Sequence, residues 1–302
     1  MSTIKSSVSK EYEGKKIREY LKEELGLSTR LIRSASIDKR IFVDNKAVRM
    51  NFVLNGNETV LIKLDKEETQ NIEPEKIDIE VAYEDEDILI INKRPNMVVH
   101  PTKTHTSGTL ANALMYYFKE TNQKCIVRLV NRLDMDTSGL IIIAKNQYAH
   151  MELSKEMNLN KLEKRYITLV HGNMKEKSGT IDLPIYRPEE EGTIKRVVDE
   201  RGQRSITHYK VLESFENADL VECLLETGRT HQIRVHLSHL GHPIFGDTLY
   251  GLESDSELIK RQALHAYGLD LDSPRTKERV SIRTDIPEDI KRLIEIIKSG
   301  DI

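Results

Sequence analysis

Hydrophobic positions recur along the chain with two different periods, and the change between them divides it. Ile17, Tyr20, Leu21 and Leu25 fall at helical spacing and predict an amphipathic helix that Gly26 ends. Ser28 stands where it can cap a second short helix carrying Leu31, Ile32 and Ala35. Ile41-Phe42-Val43, a turn at Asp44-Asn45 and Lys46-Ala47-Val48 predict a hairpin, because Asn tolerates the positive φ that tight turns require. Residues 60–64 predict one more strand. Residues 65–75, charged and carrying Pro74, read as a linker. Beyond it the period becomes two: Ile77-Asp78-Ile79-Glu80-Val81 alternates strictly, as a half-buried strand would. The unbroken aliphatic runs at 88–91 and 140–144 suit strands covered on both faces. Residues 108–118 predict a helix with Leu110, Ala113, Leu114 and Tyr117 on one side. Residues 183–192 form a loop rich in Pro and acidic side chains. Near the end, Asp285 and Pro287 open a helix with Ile290, Leu293, Ile294 and Ile297 as its apolar stripe, and Gly300 closes it. The elements predict an α+β protein of two domains, residues 12–65 and 76–302.

Composition narrows the class. With 38% hydrophobic and 31% charged residues among 302, the chain has the make-up of an ordinary soluble protein with a sizeable core. It contains no run of about 18 apolar residues, and residues 1–11 are polar and charged where a signal peptide needs an apolar centre. The expected location is the cytoplasm, with no membrane partner. Cys125 and Cys223 are too few for a disulfide framework and wrongly spaced for a zinc knuckle. The net charge of −3 is unremarkable for a nucleic-acid binder, but the charge is segregated. Between Gly14 and Met50 ten basic residues face five acidic ones, a local excess of +5, whereas residues 67–87 are acidic. A polyanion responds to such local fields. No heptad pattern calls for a partner chain, so a monomer is expected.

The densest chemistry lies in two segments. Asn131-Arg132-Leu133-Asp134-Met135-Asp136-Thr137-Ser138-Gly139 places two acids, two hydroxyls and a glycine directly before the buried strand at 140–144. Such a loop is rigid at its root and open at its tip, a good mount for a catalytic carboxylate. A nearby guanidinium, here Arg132, would favour the ionised form. Asp136 reads as a turn cap with Thr137. In the second segment Thr227-Gly228-Arg229-Thr230 is a polar turn, with Thr230 placed to cap the helix that follows. His231, His236, His239 and His242 raise the question of a metal. Their spacing lacks the i, i+4 pair of a helical zinc site and no cysteine joins them, so hydrogen-bonding or packing roles are expected and no metal.

Together these segments resemble the RluA family of pseudouridine synthases: Arg132-Leu133-Asp134 with Thr137-Ser138-Gly139, then Thr227-Gly228-Arg229-Thr230-His231-Gln232-Ile233-Arg234. Further pieces follow in family order. They are Tyr83-Glu84-Asp85-Glu86-Asp87-Ile88 with Asn92-Lys93 and Val99-His100-Pro101, Lys164-Arg165-Tyr166 with Val170-His171-Gly172, Ile181 to Ile185, Thr207-His208-Tyr209, and Gly246-Asp247 with Tyr250-Gly251. The module at 12–65 resembles the S4 RNA-binding domain, through Ser28-Thr29-Arg30, Ile37, Ile41-Phe42-Val43 and Asn55-Gly56-Asn57. Two glycines usual in that hairpin are replaced by Lys39 and Asn45. In the synthase part Asn131 stands where the family has His, and Arg94-Pro95 where it has Lys-Pro.

The resemblance implies a catalytic domain with a mixed, mostly antiparallel sheet flanked by helices, acting without a cofactor. It implies isomerisation of uridine in RNA, and the S4-like module points to the large ribosomal (23S) RNA, with tRNA still open. The uridine must be flipped into a pocket at a cost of about a few kcal/mol. Asp134 then either attacks the sugar or assists glycosidic cleavage by deprotonation. By resemblance Arg229 pairs with Asp134, Tyr166 stacks on the flipped base and serves proton transfer, and Arg132 fills the vacated gap or holds a phosphate. The basic module adds Arg30, Arg33, Lys39 and Arg40 as RNA contacts. Two alternatives stay open: an RNA-binding or ribosome-assembly factor that has lost turnover, which Asn131 favours, and a metal hydrolase built on the histidines.

Overall fold

In a computed structural model, which describes residues 3–64, 70–189 and 193–300, the described residues build three sheets, of four, nine and two strands. The first part contains β1 (Thr3–Ser7), α1 (Ile17–Glu23), α2 (Thr29–Ile37), β2 (Ile41–Val43), β3 (Lys46–Ala47) and β4 (Thr59–Lys63). Its strands lie in the order β1-β4-β2-β3, all antiparallel. Both helices form where predicted, and the Ser28 hydroxyl accepts the Leu31 amide at 3.2 Å. Ile17, Tyr20, Leu21, Leu31, Ile32 and Ala35 join Ile41, Val60 and Ile62 in a core of their own. Strand β1 lies before the expected start at residue 12. Its polar sequence hid it, because an edge strand of this sheet exposes much of its length.

Lys39 and Asn45, the two positions where a glycine is usual, have φ of 52° and 67°. Asn bears that conformation easily; Lys pays a steric cost that glycine would not. Lys39→Gly should therefore stabilise the fold by up to about 1 kcal/mol, measured by denaturant unfolding. A loss of stability would mean that the Lys39 side chain contributes more than its backbone strain costs.

The larger part runs β5 (Glu80–Glu84), β6 (Ile88–Lys93), α3 (Leu110–Glu120), β7 (Ser138–Ala144), α4 (Gln147–Asn158), β8 (Glu163–His171), β9 (Ser178–Asp182), β10 (Ile185–Tyr186), β11 (Val197–Val198), β12 (Ile206–Ser214), β13 (Ala218–Leu225), α5 (Gln232–His239), β14 (Leu264–Asp272), β15 (Arg279–Arg283) and α6 (Glu288–Ser299). Its sheet is mixed and mostly antiparallel, in the order β5-β6-β7-β14-β8-β13-β12-β9 with β15 beside β14. The aliphatic runs are buried on both faces, as their composition predicts. Leu89, Ile91, Ile141 and Ile143 pack with α3, α5 and α6, while Ile88, Ile90, Leu140 and Ile142 pack with α4. The strand expected from residue 77 begins only at Glu80; Ile77 and Ile79 still pack on the core, but from an irregular segment. The linker's residues 65–69 and the acidic 190–192 lie outside the described residues.

The only parallel pairing in this sheet decides where the site stands. Strands β7 and β14 meet at Ser138–His265 and Gly139–Ala266 alone. A Cβ on Gly139 would lie 2.2 Å from the Ala266 carbonyl oxygen, so only glycine allows the approach. The Ser138 hydroxyl hydrogen-bonds His265 Nδ1 at 2.9 Å across the same junction. The two parts of the chain also touch. Tyr148 of α4 is buried in the core of the first part, and Arg275 joins the Thr3 carbonyl (2.6 Å) to Asp87 (3.0 Å).

Candidate active site

The loop carrying Asp134 leaves the sheet just before this junction. Residues 128–130 run back along β7, with Ala144 N donating to Arg128 O and Val130 N to Ile142 O. Asn131 continues that ladder with its side chain: Oδ1 accepts the Ile142 amide at 2.8 Å. The substituted residue thus anchors the root of the loop to β7.

Every residue from 134 to 137 is then tied to a distant element. Arg234 Nη1 donates to Asp134 Oδ2 at 3.0 Å. Lys93 Nζ and Met97 N donate to Met135 O at 2.8 and 3.1 Å, Arg261 Nη1 donates to Asp136 O at 3.1 Å, and Gln262 Nε2 donates to Thr137 Oγ1 at 3.1 Å. A carboxylate mounted this way needs no reorganisation when substrate arrives. The expected side-chain cap between Asp136 and Thr137 is replaced by these longer-range bonds.

The pairing expected of Arg229 belongs to Arg234. Arg229 lies in the turn before α5 and is exposed; its backbone amide is held by Gln232 Oε1, and its Nε reaches only the Arg204 carbonyl at 3.5 Å. Arg234, a turn further on, is almost fully buried and forks onto Asp247 with Nε (2.6 Å) and Nη2 (2.8 Å) while Nη1 reaches Asp134. Burial alone would raise the Asp247 carboxyl, but the Arg234 bonds and the amides of Leu249 and Tyr250 bring it below its ordinary value. The sequence signal was there: an arginine between Ile233 and Val235 in a helix buried all round needs carboxylate partners. Thr230 does not cap that helix. His231 occupies the cap position at φ 59°, and Gln232 satisfies the Arg229 amide and the Thr227 hydroxyl.

Asp134, Tyr166 and Arg234 share a cavity of about 510 Å³ with Arg132, Arg229 and Lys164, a size suited to a small ligand. Tyr166 sits on β8, buried, and its hydroxyl is pushed well above its ordinary pKa, first by burial and then by the charge of Asp134. At neutral pH it is a neutral phenol, fit to donate a hydrogen bond. His231 Nε2 lies 3.9 Å from Asp134 Oδ2. Burial lowers its pKa against the pull of Asp134, so near neutral pH it is an uncharged neighbour. Of the other three histidines in this segment, His236 bonds Thr207 and the Leu183 carbonyl, His242 bonds the His171 carbonyl, and His239 is exposed. Among the described residues no three His, Cys, Asp or Glu side chains converge as metal ligands would.

Lys164 was not singled out by sequence, although β8 alternation, with Glu163 and Arg165 more exposed than Lys164 and Tyr166, puts it beside the tyrosine. It is 4% exposed, and its ammonium makes no hydrogen bond or ion pair with another described residue. Burial draws its pKa down to about 8. Between that value and the roughly 10.4 of a free lysine, the unfolded chain holds more protons than the folded one, so stability rises with pH through this window and falls as pH drops toward 8. Lys164→Met should show a visibly smaller gain in unfolding free energy between about pH 7.5 and about pH 9.5. Parallel pH curves for the two proteins would show that the fold does not lower the Lys164 pKa.

Arg40, expected at the RNA, faces inward instead. It is 7% exposed, with Nη1 on the Lys63 carbonyl (2.8 Å) and Nη2 on Ser34 (3.1 Å) and Asp38 (3.3 Å), so it fastens α2 to β4. Arg30, Arg33 and Lys39 are exposed on or beside α2.

A phenol and a carboxylate facing one cavity, backed by a buried guanidinium, define a site for proton or nucleophilic chemistry on a small polar group. Comparison with known proteins agrees. The sequence profile of the RNA pseudouridylate synthase family matches residues 87–239. The uncharacterized RNA pseudouridine synthase YjbO of Bacillus subtilis is 37% identical over 281 residues, 92% of this chain and 98% of that protein. The ribosomal large subunit pseudouridine synthase D of Haemophilus ducreyi is 35% identical over 86% of each chain. The solved human RNA pseudouridylate synthase domain containing 1 superposes with a TM-score of 0.57 at 29% identity, covering 69% of this chain and 83% of its own. The chain belongs to the RluA-type RNA pseudouridine synthases, enzymes that isomerise uridine in RNA. No helix among the described residues is long and apolar enough to cross a membrane.

Proposed function

We propose that the protein isomerises uridines of large-subunit ribosomal RNA, in the cytoplasm, with Asp134 as the catalytic carboxylate. The observation that carries this is the Asp134–Arg234–Asp247 chain on the floor of the cavity, with Tyr166 facing it. In the reaction the C1′–N1 bond breaks, the base turns, C1′–C5 forms, the C5 proton passes to solvent and N1 takes up a proton. Atoms and electrons balance within the nucleotide and water. Asp134 either adds to C1′ or removes a sugar proton to assist cleavage; in both, Arg234 Nη1 holds the carboxylate in place through its hydrogen bond to Oδ2. Tyr166 stacks on the flipped base and exchanges protons with it. Lys164, a cation without a carboxylate, meets an oxygen of the bound nucleotide. Arg132, exposed at the cavity mouth, occupies the gap left by the flipped base or holds a phosphate.

The part spanning β1 to β4 acts as an S4-like RNA-binding domain, using Arg30, Arg33 and Lys39 on its exposed face. The domain division at residues 65–76 is supported by the separate core of that part. The alternative of a silent binding protein loses its support, because Asn131 commits its side chain to β7. The ribosomal target is supported by the likeness to a ribosomal large subunit pseudouridine synthase together with the basic module. Mapping pseudouridines in ribosomal RNA from cells lacking the gene tests it: one or more positions of the large-subunit RNA should revert to uridine and return with the gene. An unchanged large-subunit map would overturn the ribosomal assignment.

A further inference from the structure

A second cavity, of about 410 Å³, opens beside the catalytic one and shares Arg132, Gly228, Arg229 and Thr230 with it. Its far wall is the β10–β11 hairpin with the residues that follow. The two strands pair at Ile185–Val198 and Tyr186–Val197, and Gly202 packs so tightly on them that a Cβ there would lie 2.3 Å from the Ile185 carbonyl carbon. The hairpin is fastened to the catalytic floor. The Arg196 amide donates to the Tyr250 hydroxyl at 2.7 Å; that hydroxyl also bonds His231 Nδ1 at 2.9 Å, and the Tyr250 ring lies under Arg234.

Five arginines line this cleft: Arg132, Arg187, Arg196, Arg201 and Arg229. Among the described residues one carboxylate is bonded to them. Asp199 holds Arg201 through Nε (2.9 Å) and Nη2 (2.7 Å), and the Arg201 guanidinium stacks on Tyr186 at 4.4 Å. Glu189, exposed on the adjoining loop, is the other acid that Arg201 feels. Arg132 and Arg187 make no hydrogen bond or ion pair with a described residue, and Arg196 and Arg229 reach only backbone carbonyls. Several guanidinium groups converging without matching acids repel one another. A docked and buttressed element keeps them so when an anion is the intended partner.

On the reading above, that the catalytic cavity takes a flipped uridine, we infer that this cleft grips the phosphodiester backbone of single-stranded RNA next to the flipped nucleotide. The two cavities adjoin at Arg132 and Arg229, so on this reading a chain with its base in the first runs past these two arginines into the second. The cleft admits a nucleotide or two and cannot take a duplex, which is about 20 Å wide. Guanidinium forks match phosphate oxygens two at a time, and stacking on Tyr186 holds one fork in place. Arg229 thereby has its role: it holds phosphate at the junction of the cavities and leaves the pairing with Asp134 to Arg234.

The test is equilibrium binding of the full chain to a fluorescent twelve-residue oligouridylate across a salt series, followed by anisotropy. Arg187→Gln and Arg229→Gln should each weaken binding several-fold at low salt. Each should also reduce the slope of log affinity against log salt by about 0.7, the value for one phosphate contact on a single strand. Arg187→Lys, which keeps the charge, should retain the slope. Because Arg187 is exposed and makes no hydrogen bond or ion pair with a described residue, its variants should unfold with the parent, which a melting curve checks. Affinities and slopes equal to the parent's in both Gln variants would overturn the cleft assignment. Binding is read without turnover, so the two readings fail separately. Altered slopes in a protein that makes no pseudouridine would sink the isomerase reading alone, and full turnover with unaltered slopes would sink the cleft alone.

Discussion

Replacing Asp134 by Asn should abolish pseudouridine formation, lowering the single-turnover rate at saturating RNA by at least about 10²–10⁴-fold, the range a positioned acid–base group supplies. The substitution preserves shape and one hydrogen-bond acceptor toward Arg234 while removing the charge, so the fold and RNA affinity should change little. The comparison that gives the result meaning is Asp136→Asn. Asp136 lies two residues on in the same loop, but only its backbone carbonyl is tied down, by Arg261. Its variant should keep most of the parent's activity. The reverse outcome, an inactive Asp136→Asn beside an active Asp134→Asn, would mean that the wrong carboxylate has been assigned.

The second large effect is expected at Arg234. This side chain is nearly buried, and its three donor nitrogens serve two carboxylates. Arg234→Met would leave Asp247, which is 2% exposed, without its guanidinium, and breaking a buried pair in this way typically costs about 3–5 kcal/mol. It would also release Asp134 from the one guanidinium that hydrogen-bonds it among the described residues. Stability and activity should therefore fall together. Arg234→Met combined with Asp247→Leu separates them. It removes the orphaned charge, so unfolding free energy should recover by about 1–3 kcal/mol relative to the single variant while turnover stays lost. Recovery of both would show that Arg234 acts on activity only through stability. Neither recovering would mean that the pair is not coupled as the hydrogen bonds indicate.

How much could be read before the fold was known differs from element to element, for physical reasons. The helices at 17–23 and 29–37 and the runs at 88–91 and 140–144 were legible because burial dictates their periodicity. Thr3–Ser7 was not, since an edge strand needs backbone pairing more than apolar side chains. Asp134 and Tyr166 were legible through ordered motifs, and the structure brings both to one cavity. The partner of Asp134 was misread because Arg229 and Arg234 sit in one motif. Only the turn of α5 decides which guanidinium points at the loop and which at solvent. Arg40 was misread because a count of basic residues cannot tell a charge that ties α2 to β4 from one that faces solvent. Lys164 was quoted with its motif but given no role, although strand alternation separates it from its two charged neighbours. Asn131 read as a departure from the family and proves to be part of the ladder beside β7.

The measurement closest to the central claim is release of tritium from large-subunit ribosomal RNA carrying 5-tritiated uridine. Replacing C5–H by C5–C1′ must deliver that proton to water, and no binding event or phosphodiester hydrolysis does so. The wild-type chain, added without metal or cofactor, should release tritium to a plateau of whole sites per RNA, and Asp134→Asn should release none. RNA that is bound tightly by the wild-type chain and keeps all its tritium would contradict the account.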